Sequence, residues 1–198
     1  MLNSEFGNVW GYKGSTGDVD WSYDYHRAMN EFRRHPKISG WLYTEHHDVI
    51  NEWNGYYKFD RSEKITGLDE LVPGMRINDW HAPFYISVGQ EICRDARVGE
   101  EVELPLYASF MTGSCSSENL TLKLNTYGWD EWGRKAEYGS QSLTVPVAPW
   151  LHKQLSPATL QMPAMPGLVI LAMVLEDESG AVLHRNVAAF RVRGDMQI

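Results

Sequence analysis

Two groups of residues carry chemistry on their face: Glu5 in the run Ser4-Glu5-Phe6-Gly7, and Glu45-His46-His47-Asp48 further along. A carboxylate that closes a short apolar run just ahead of Gly-rich sequence reads either as a catalytic group at a strand terminus or as a solvated charge. The second group consists entirely of metal-ligand types. However, adjacent residues on an extended segment point to opposite sides, and no distant cluster supplies the rest of a coordination shell. No metal is therefore expected, and polar contacts or plain loop structure remain. Trp10 and Tyr12 offer flat faces that either stack on a sugar ring or pack internally. Trp129 and Trp132, in the stretch NTYGWDEWGRK, read as a polar Gly-containing loop, where exposed tryptophans form a carbohydrate platform or meet a neighbouring domain. Asp60-Arg61 reads as a loop ion pair. Cys93 and Cys115 lie too far apart for a CxxC site, no Cys/His cluster has zinc spacing, and whether the two pair stays open.

The elements that must position these residues fall into two grammars. From Asp18 to His35, Trp21, Tyr25, Ala28, Met29 and Phe32 recur at helical spacing; Asp18 or Asp20 is placed to cap the start, and Pro36 follows the end. Ile38 to Tyr43 then reads as a short strand buried on both faces, followed by a long structured loop with Asn54-Gly55 as a turn signal. The pattern changes around Val72-Pro73-Gly74. Beyond it, Val102, Leu104, Leu106, Ala108 and Phe110 alternate with polar residues, as do Leu120, Leu122 and Leu124. Further strands are expected at Phe84 to Val88, Leu143 to Val147, Thr159 to Met162, Leu168 to Leu175 and Val187 to Val192. The Leu168 run is apolar on both parities, which suits a central strand. Seven or so short strands over this length describe a β-sandwich of immunoglobulin type.

Composition sets the outer bounds. A chain of 198 residues buries roughly 70% of its unfolded surface, enough for a core. The net charge of −8 and scattered Lys and Arg exclude nucleic acid as a partner, while 8 Trp and 10 Tyr keep sugars in play. No stretch approaches the roughly 20 apolar residues of a membrane span, and the first residues lack signal-peptide grammar. A soluble chain is expected; its compartment is undetermined.

SEFG, a Gly-rich aromatic stretch, a helix and then SGWLYTEHHDVINEWNGYYKFDR together resemble the last part of the catalytic (β/α)8 barrel of glycoside hydrolase family 2. That family comprises the β-galactosidases, β-glucuronidases and β-mannosidases. The resemblance spans roughly Leu2 to Arg61, and the sandwich resembles, more loosely, the β-domain that follows the barrel in many members. It implies a mainly β chain with an α/β N-terminal segment: the last elements of an incomplete (β/α)8 barrel over residues 1–75, then an immunoglobulin-like β-sandwich over 76–198. It also implies that Glu5 stands where the family's nucleophile stands, at the end of the seventh barrel strand. Trp10, Tyr43, Glu45 and His46 would lie near the sugar, with Tyr43 equally readable as strand packing. Retaining glycosidases attack the anomeric carbon with one carboxylate, while a second, roughly 5 Å away, protonates the leaving oxygen and later activates water.

In the family that second glutamate follows an asparagine on the fourth strand, far upstream. Only Met1 to Ser4 precede Glu5, so the resemblance implies the C-terminal region of a larger retaining β-glycosidase, inactive as an isolated chain. The two Asn-Glu pairs do not replace the missing group: Asn30-Glu31 sits mid-helix as a solvated charge, and Asn51-Glu52 follows the wrong strand. The expected partner is a carbohydrate substrate in the full-length enzyme, without cofactor or metal. Barrel elements left without neighbours, such as Ile38, Trp41 and Leu42, are expected to fold back on the sandwich or to pair with a second copy. The alternative is a non-catalytic carbohydrate-binding or structural β-sandwich protein.

Overall fold

The computed structural model describes residues 1–6, 21–50, 52–114 and 117–194, without the side chains of Ser4 and Glu5; Trp10, Tyr12, Asp18, Asp20, Asn51 and Cys115 lie outside it. In chain order come β1 (Leu2–Phe6), α1 (Ser22–Arg34), β2 (Gly40–Tyr43) and the one-turn helices α2 (Leu68–Leu71) and α3 (Ile77–Trp80). Then follow β3 (Phe84–Ser87), β4 (Cys93–Arg97), β5 (Glu101–Leu104), β6 (Tyr107–Phe110), β7 (Asn119–Asp130) and β8 (Lys135–Pro146). The last four are β9 (His152–Gln154), β10 (Ala158–Gln161), β11 (Gly167–Glu176) and β12 (Val182–Arg193).

The chain is mostly β, and its strands β3 to β12 form a sandwich. One sheet runs β4-β12-β11-β7-β8; facing it are β3-β6-β9 and the pair β5-β10. Between them Leu104, Phe110, Leu122, Val145, Leu171 and Phe190 interdigitate in a core whose fully buried members are aliphatic, Phe and Met side chains. β11 is central, as its two apolar parities require. Val169, Leu171, Met173 and Leu175 enter that core, while Ile170 and Ala172 enter a second one.

The second core ties the N-terminal half to the sandwich. Trp21, Tyr25 and Met29 of the α1 region, with Leu68, Val72, Met75 and Trp80, cover Tyr127, Ile170, Ala172 and Val187. Beneath α1 the contact is polar. Ser22, His26, Asn30 and Arg33 are all buried, so the helix turns a polar stripe inward beside Tyr25 and Met29. The Asn186 amide on β12 is at the centre: its Oδ1 accepts from His26 Nε2 at 2.6 Å and from Val187 N at 2.8 Å. Its Nδ2 donates to Asn30 Oδ1 at 3.0 Å and to the Ile86 carbonyl at 2.7 Å. Asn30 in turn accepts from Val88 N, and its carbonyl accepts from the Ser87 hydroxyl. Arg33 donates to the Ala82 and Ser109 carbonyls and lies between the rings of Trp41 and Tyr85.

Several sequence expectations shift for physical reasons. The helix begins at Ser22 with Trp21 as its cap and no side-chain cap bond. β2 is not buried on both faces: among the described residues it pairs with β1 alone, and Leu42 is 59% exposed on the other side of that two-stranded sheet. Trp41, by contrast, is covered by Phe32, His81 and Arg33. Trp129 lies not in a loop but on β7, paired with Leu168 and Lys135, and half-buried against Tyr127. β8 extends well before Leu143 because backbone pairing with β7 carries its polar first half. Asp60 and Arg61 do not form the expected pair; Asp60 accepts from the Ser62 amide and hydroxyl, and Arg61 reaches toward His47.

Replacing Asn186 by Ala leaves His26 Nε2–H and Val187 N–H buried without acceptors, so the chain should lose about 3 kcal/mol in urea unfolding with an unchanged m-value. Trp132, 72% exposed beside the β7–β8 turn, provides the control, and its change to Ala should stay within about 0.5 kcal/mol.

Candidate functional site

β1 and β2 run parallel, with Leu2 opposite Gly40, Asn3 opposite Trp41 and Phe6 opposite Tyr43. Two residues, Ser4 and Glu5, therefore stand against the single Leu42. This register shift is a bulge at the C-terminal end of β1, a device that re-aims side chains at strand ends. Glu5 is thus placed at the bulge, with its side chain outside the described atoms, and Trp10 is outside the description entirely. The structure consequently brings together Tyr43, Glu45 and His46 at the end of β2, beside the backbone position of Glu5.

Beneath that strand end lies an aromatic cluster. The Tyr43 ring meets those of Phe6 at 5.3 Å, Trp21 at 5.6 Å, Tyr25 at 4.7 Å and Tyr56 at 4.8 Å between centroids. Offset and edge contacts of this kind contribute about 0.5–1.5 kcal/mol each beyond the area they bury. The phenols are linked: Tyr25 Oη lies 2.5 Å from Tyr56 Oη and 3.1 Å from His81 Nε2, and Tyr43 donates to the Asn54 carbonyl. Burial, with the neighbouring Tyr56, pushes Tyr25 far above the ordinary phenol range; burial alone drives Tyr56 up to about 12. These hydroxyls stay protonated at neutral pH and serve as donors, not bases. Tyr43 therefore acts in packing as well as at the strand end.

Past β2 the Thr44–Glu45 peptide is cis, and the loop folds back on itself. Tyr56 and Tyr57 amides donate to the Glu45 and His46 carbonyls, and Asp48 N donates to the Tyr57 carbonyl at 3.0 Å. Val49 and Glu52 exchange both backbone bonds. Asn54, read from sequence only as half of a turn, donates its amide to the Thr44 carbonyl and so pins the loop to the end of β2. The anchor underneath is ionic: Lys64 Nζ lies 2.7 Å from Asp48 Oδ1, with side chains 3% and 1% exposed. Lys64 also donates to the Trp53 carbonyl, and Asp48 Oδ1 accepts from Gly55 N at 2.9 Å. Gly55 is required for this approach, because a Cβ there would lie 2.3 Å from Asp48 N. Lys64 carried no signal in the sequence, as a lysine in a polar loop is ordinarily solvated.

Glu45 is the half-buried carboxylate of the group. Burial first, then the nearby Glu52, pushes its carboxyl above the usual range, and Oε1 makes no hydrogen bond. His46 is exposed and its ring packs on Tyr57 at 5.1 Å. Among the described residues no three His, Cys, Asp or Glu side chains are placed to share a metal ion. Glu31 of the first Asn-Glu pair is on the helix surface, bound to Arg34 and His35. No helix among the described residues is long and apolar enough to cross a membrane.

No protein-family model matches the chain, and no curated protein matches it by sequence. Solved structures do. The exo-chitosanase CsxA of Amycolatopsis orientalis aligns over 86% of this chain at 15% identity with a TM-score of 0.55. The fold is shared with part of a glycoside hydrolase. The chain spans only 18% of CsxA, and likeness at this identity speaks for fold alone. A putative β-galactosidase from Bacteroides fragilis aligns over 56% of this chain and 16% of its own, at 15% identity and a TM-score of 0.36. The sporulation control protein Spo0M of Bacillus subtilis aligns over 57% of this chain and 49% of its own, at 16% identity and a TM-score of 0.34. Superpositions as loose as these last two support no functional argument.

Breaking the buried pair with Lys64→Met strands the Asp48 carboxylate and should cost about 3–5 kcal/mol in urea unfolding. The double change Asp48→Asn with Lys64→Met should cost less than the two single losses added together, since both report one interaction.

Proposed function

We propose that this chain is the C-terminal region of a retaining β-glycosidase of family 2 type, in which Glu5 attacks the anomeric carbon. The observation that carries the reading is the parallel pairing of β1 with β2. Two strands neighbouring in a barrel would pair in this way, with the SEF run ending beside the GWLY run and the polar loop leaving the same end. The fold shared with an exo-chitosanase supports the glycosidase class, and the sequence resemblance supports the family. On this reading Tyr43 and Glu45 line the sugar site at the mouth, with Trp10 and His46 near it. The general acid/base would come from a barrel strand outside these 198 residues, and residues 1–75 would be the barrel's last elements ahead of the sandwich. Self-association through the open β1–β2 sheet is the counterpart expected of the chain alone.

The competing reading, a non-catalytic carbohydrate-binding β-sandwich, rests on the exposed Trp132. Its proposed companion Trp129 lies half-buried on β7.

The test is the native polypeptide. Immunodetection with an antibody to this chain should find a species much larger than 22.7 kDa that hydrolyses aryl β-glycosides, and Glu5→Gln in that species should lower kcat at least about 10³-fold. The isolated chain should show no turnover. A native product of 22.7 kDa, or a Glu5→Gln enzyme of full activity, overturns the assignment.

A further inference from the structure

The two cores differ in one respect. The fully buried members of the sandwich core are all non-titratable, with the partly buried Tyr138 packed against them, whereas His26, Arg33, Asp79 and His184 are all buried in the interface under α1. His26 of α1 is 5% exposed; it donates through Nε2 to Asn186 Oδ1, and its ring stacks on Trp80 of α3 at 5.8 Å. The Asn186 orientation is fixed by its donations to Asn30 and Ile86, so the neutral His26 ring carries its hydrogen on Nε2. His184, on the same strand as Asn186, is 1% exposed; its Nδ1 donates to the Asp79 carbonyl at 3.0 Å, its Nε2 makes no hydrogen bond, and its ring lies 4.2 Å from that of Tyr85. A second proton on His184 would therefore create a buried cation in the field of Arg33, with only the Ile86 and Asp79 carbonyls to favour it.

The charges facing these rings are unfavourable to any further proton. Arg33 of α1 is a buried cation that binds only carbonyls and ring faces, and its field acts on both His184 and His81. From β3 the facing group is the neutral phenol Tyr85, and from α1 the phenol Tyr25. The carboxylate on this side is Asp79 of α3, whose oxygens accept from Arg76 N and Arg185 N, with the Arg185 guanidinium 3.8 Å away. On the solvent side of α1, Glu31 is committed to Arg34 and His35.

We propose that the α1–sandwich interface is an acid-sensitive latch: proton uptake by His26 and His184 releases α1 from β12 while the sandwich stays folded. Burial holds His26 down at about 4 and His184 at about 3, below the ordinary 6.5. Rings with depressed values stabilise the docked state fully above about 6.5 and lose that contribution as pH falls toward the docked values. His81, lowered by burial and by Arg33, acts in the same sense. Asp79 acts in the opposite sense, since burial raises its carboxyl and docking then favours its proton. Between pH 7 and pH 5, linkage from these values shifts the open–docked equilibrium by roughly twentyfold for each of the two histidines.

Amide hydrogen exchange on this chain, corrected for intrinsic rates, tests the latch. Protection of α1 amides from Tyr25 to Arg33 should fall at least about twentyfold from pH 7 to pH 5, with β11 amides from Val169 to Leu175 changing far less. His26→Gln, which keeps an N–H for Asn186 but cannot charge, should remove roughly twentyfold of that step. Equal loss in α1 and β11, or constant protection in α1, overturns the proposal. If His26→Gln does not fold, the wild-type imidazole resonances decide. Rings neutral until α1 opens support the latch, and rings titrating near 6.5 with α1 still protected refute it.

Discussion

One amide carries the join between the two halves of this molecule. Asn186 satisfies two donors and two acceptors at once, drawn from α1, β3 and its own strand, in a place water does not reach. Apolar contacts alone would let a helix slide on a sheet at little cost, whereas a saturated buried amide admits one register and one angle. Everything the N-terminal half contributes follows from that fixed seat: the placement of Arg33 between Trp41 and Tyr85, and hence the attachment of β2 to α1. The aromatic floor under the end of β2 follows in turn.

The same seat explains why two strands persist without the rest of a sheet. A lone strand pair is marginal in water. Here β1 and β2 are held from one side by Phe6, Trp41 and Tyr43 packed on α1, so their stability comes from the helix they lie against. Their other side is open at Leu2 and Leu42. The loop after β2 has a separate anchor in Asp48 and Lys64, which leaves His46 exposed without leaving the loop slack.

Much of this architecture was legible in the sequence, and the misses share a cause. Alternation located the principal strands, and the double parity of Leu168 to Leu175 correctly marked a strand with cover on both faces. Helical spacing found α1 but selected its apolar stripe, because Ser22, His26, Asn30 and Arg33 have the composition of a solvent face. β4, reading CRDAR, escaped notice since a polar edge strand has no hydrophobic period to detect. Trp129 was misread through its Gly and Asp neighbours, although pairing with β11 keeps it on the sheet. At the site, Asn54-Gly55 signalled a turn; that its Gly55 amide donates to an Asp48 carboxylate held by Lys64, nine residues further on, is announced by no local pattern.

The second core has an implication for how such a chain changes over time. Ile170, Ala172 and Val187 belong by sequence grammar to the sandwich, yet their neighbours Trp21, Leu68, Val72 and Met75 belong to the other half. A substitution on either side is felt on the other, so the two halves should drift as correlated partners and be inherited as one piece. A recombination junction near residue 75 would divide the sequence neatly and leave each daughter with half a core.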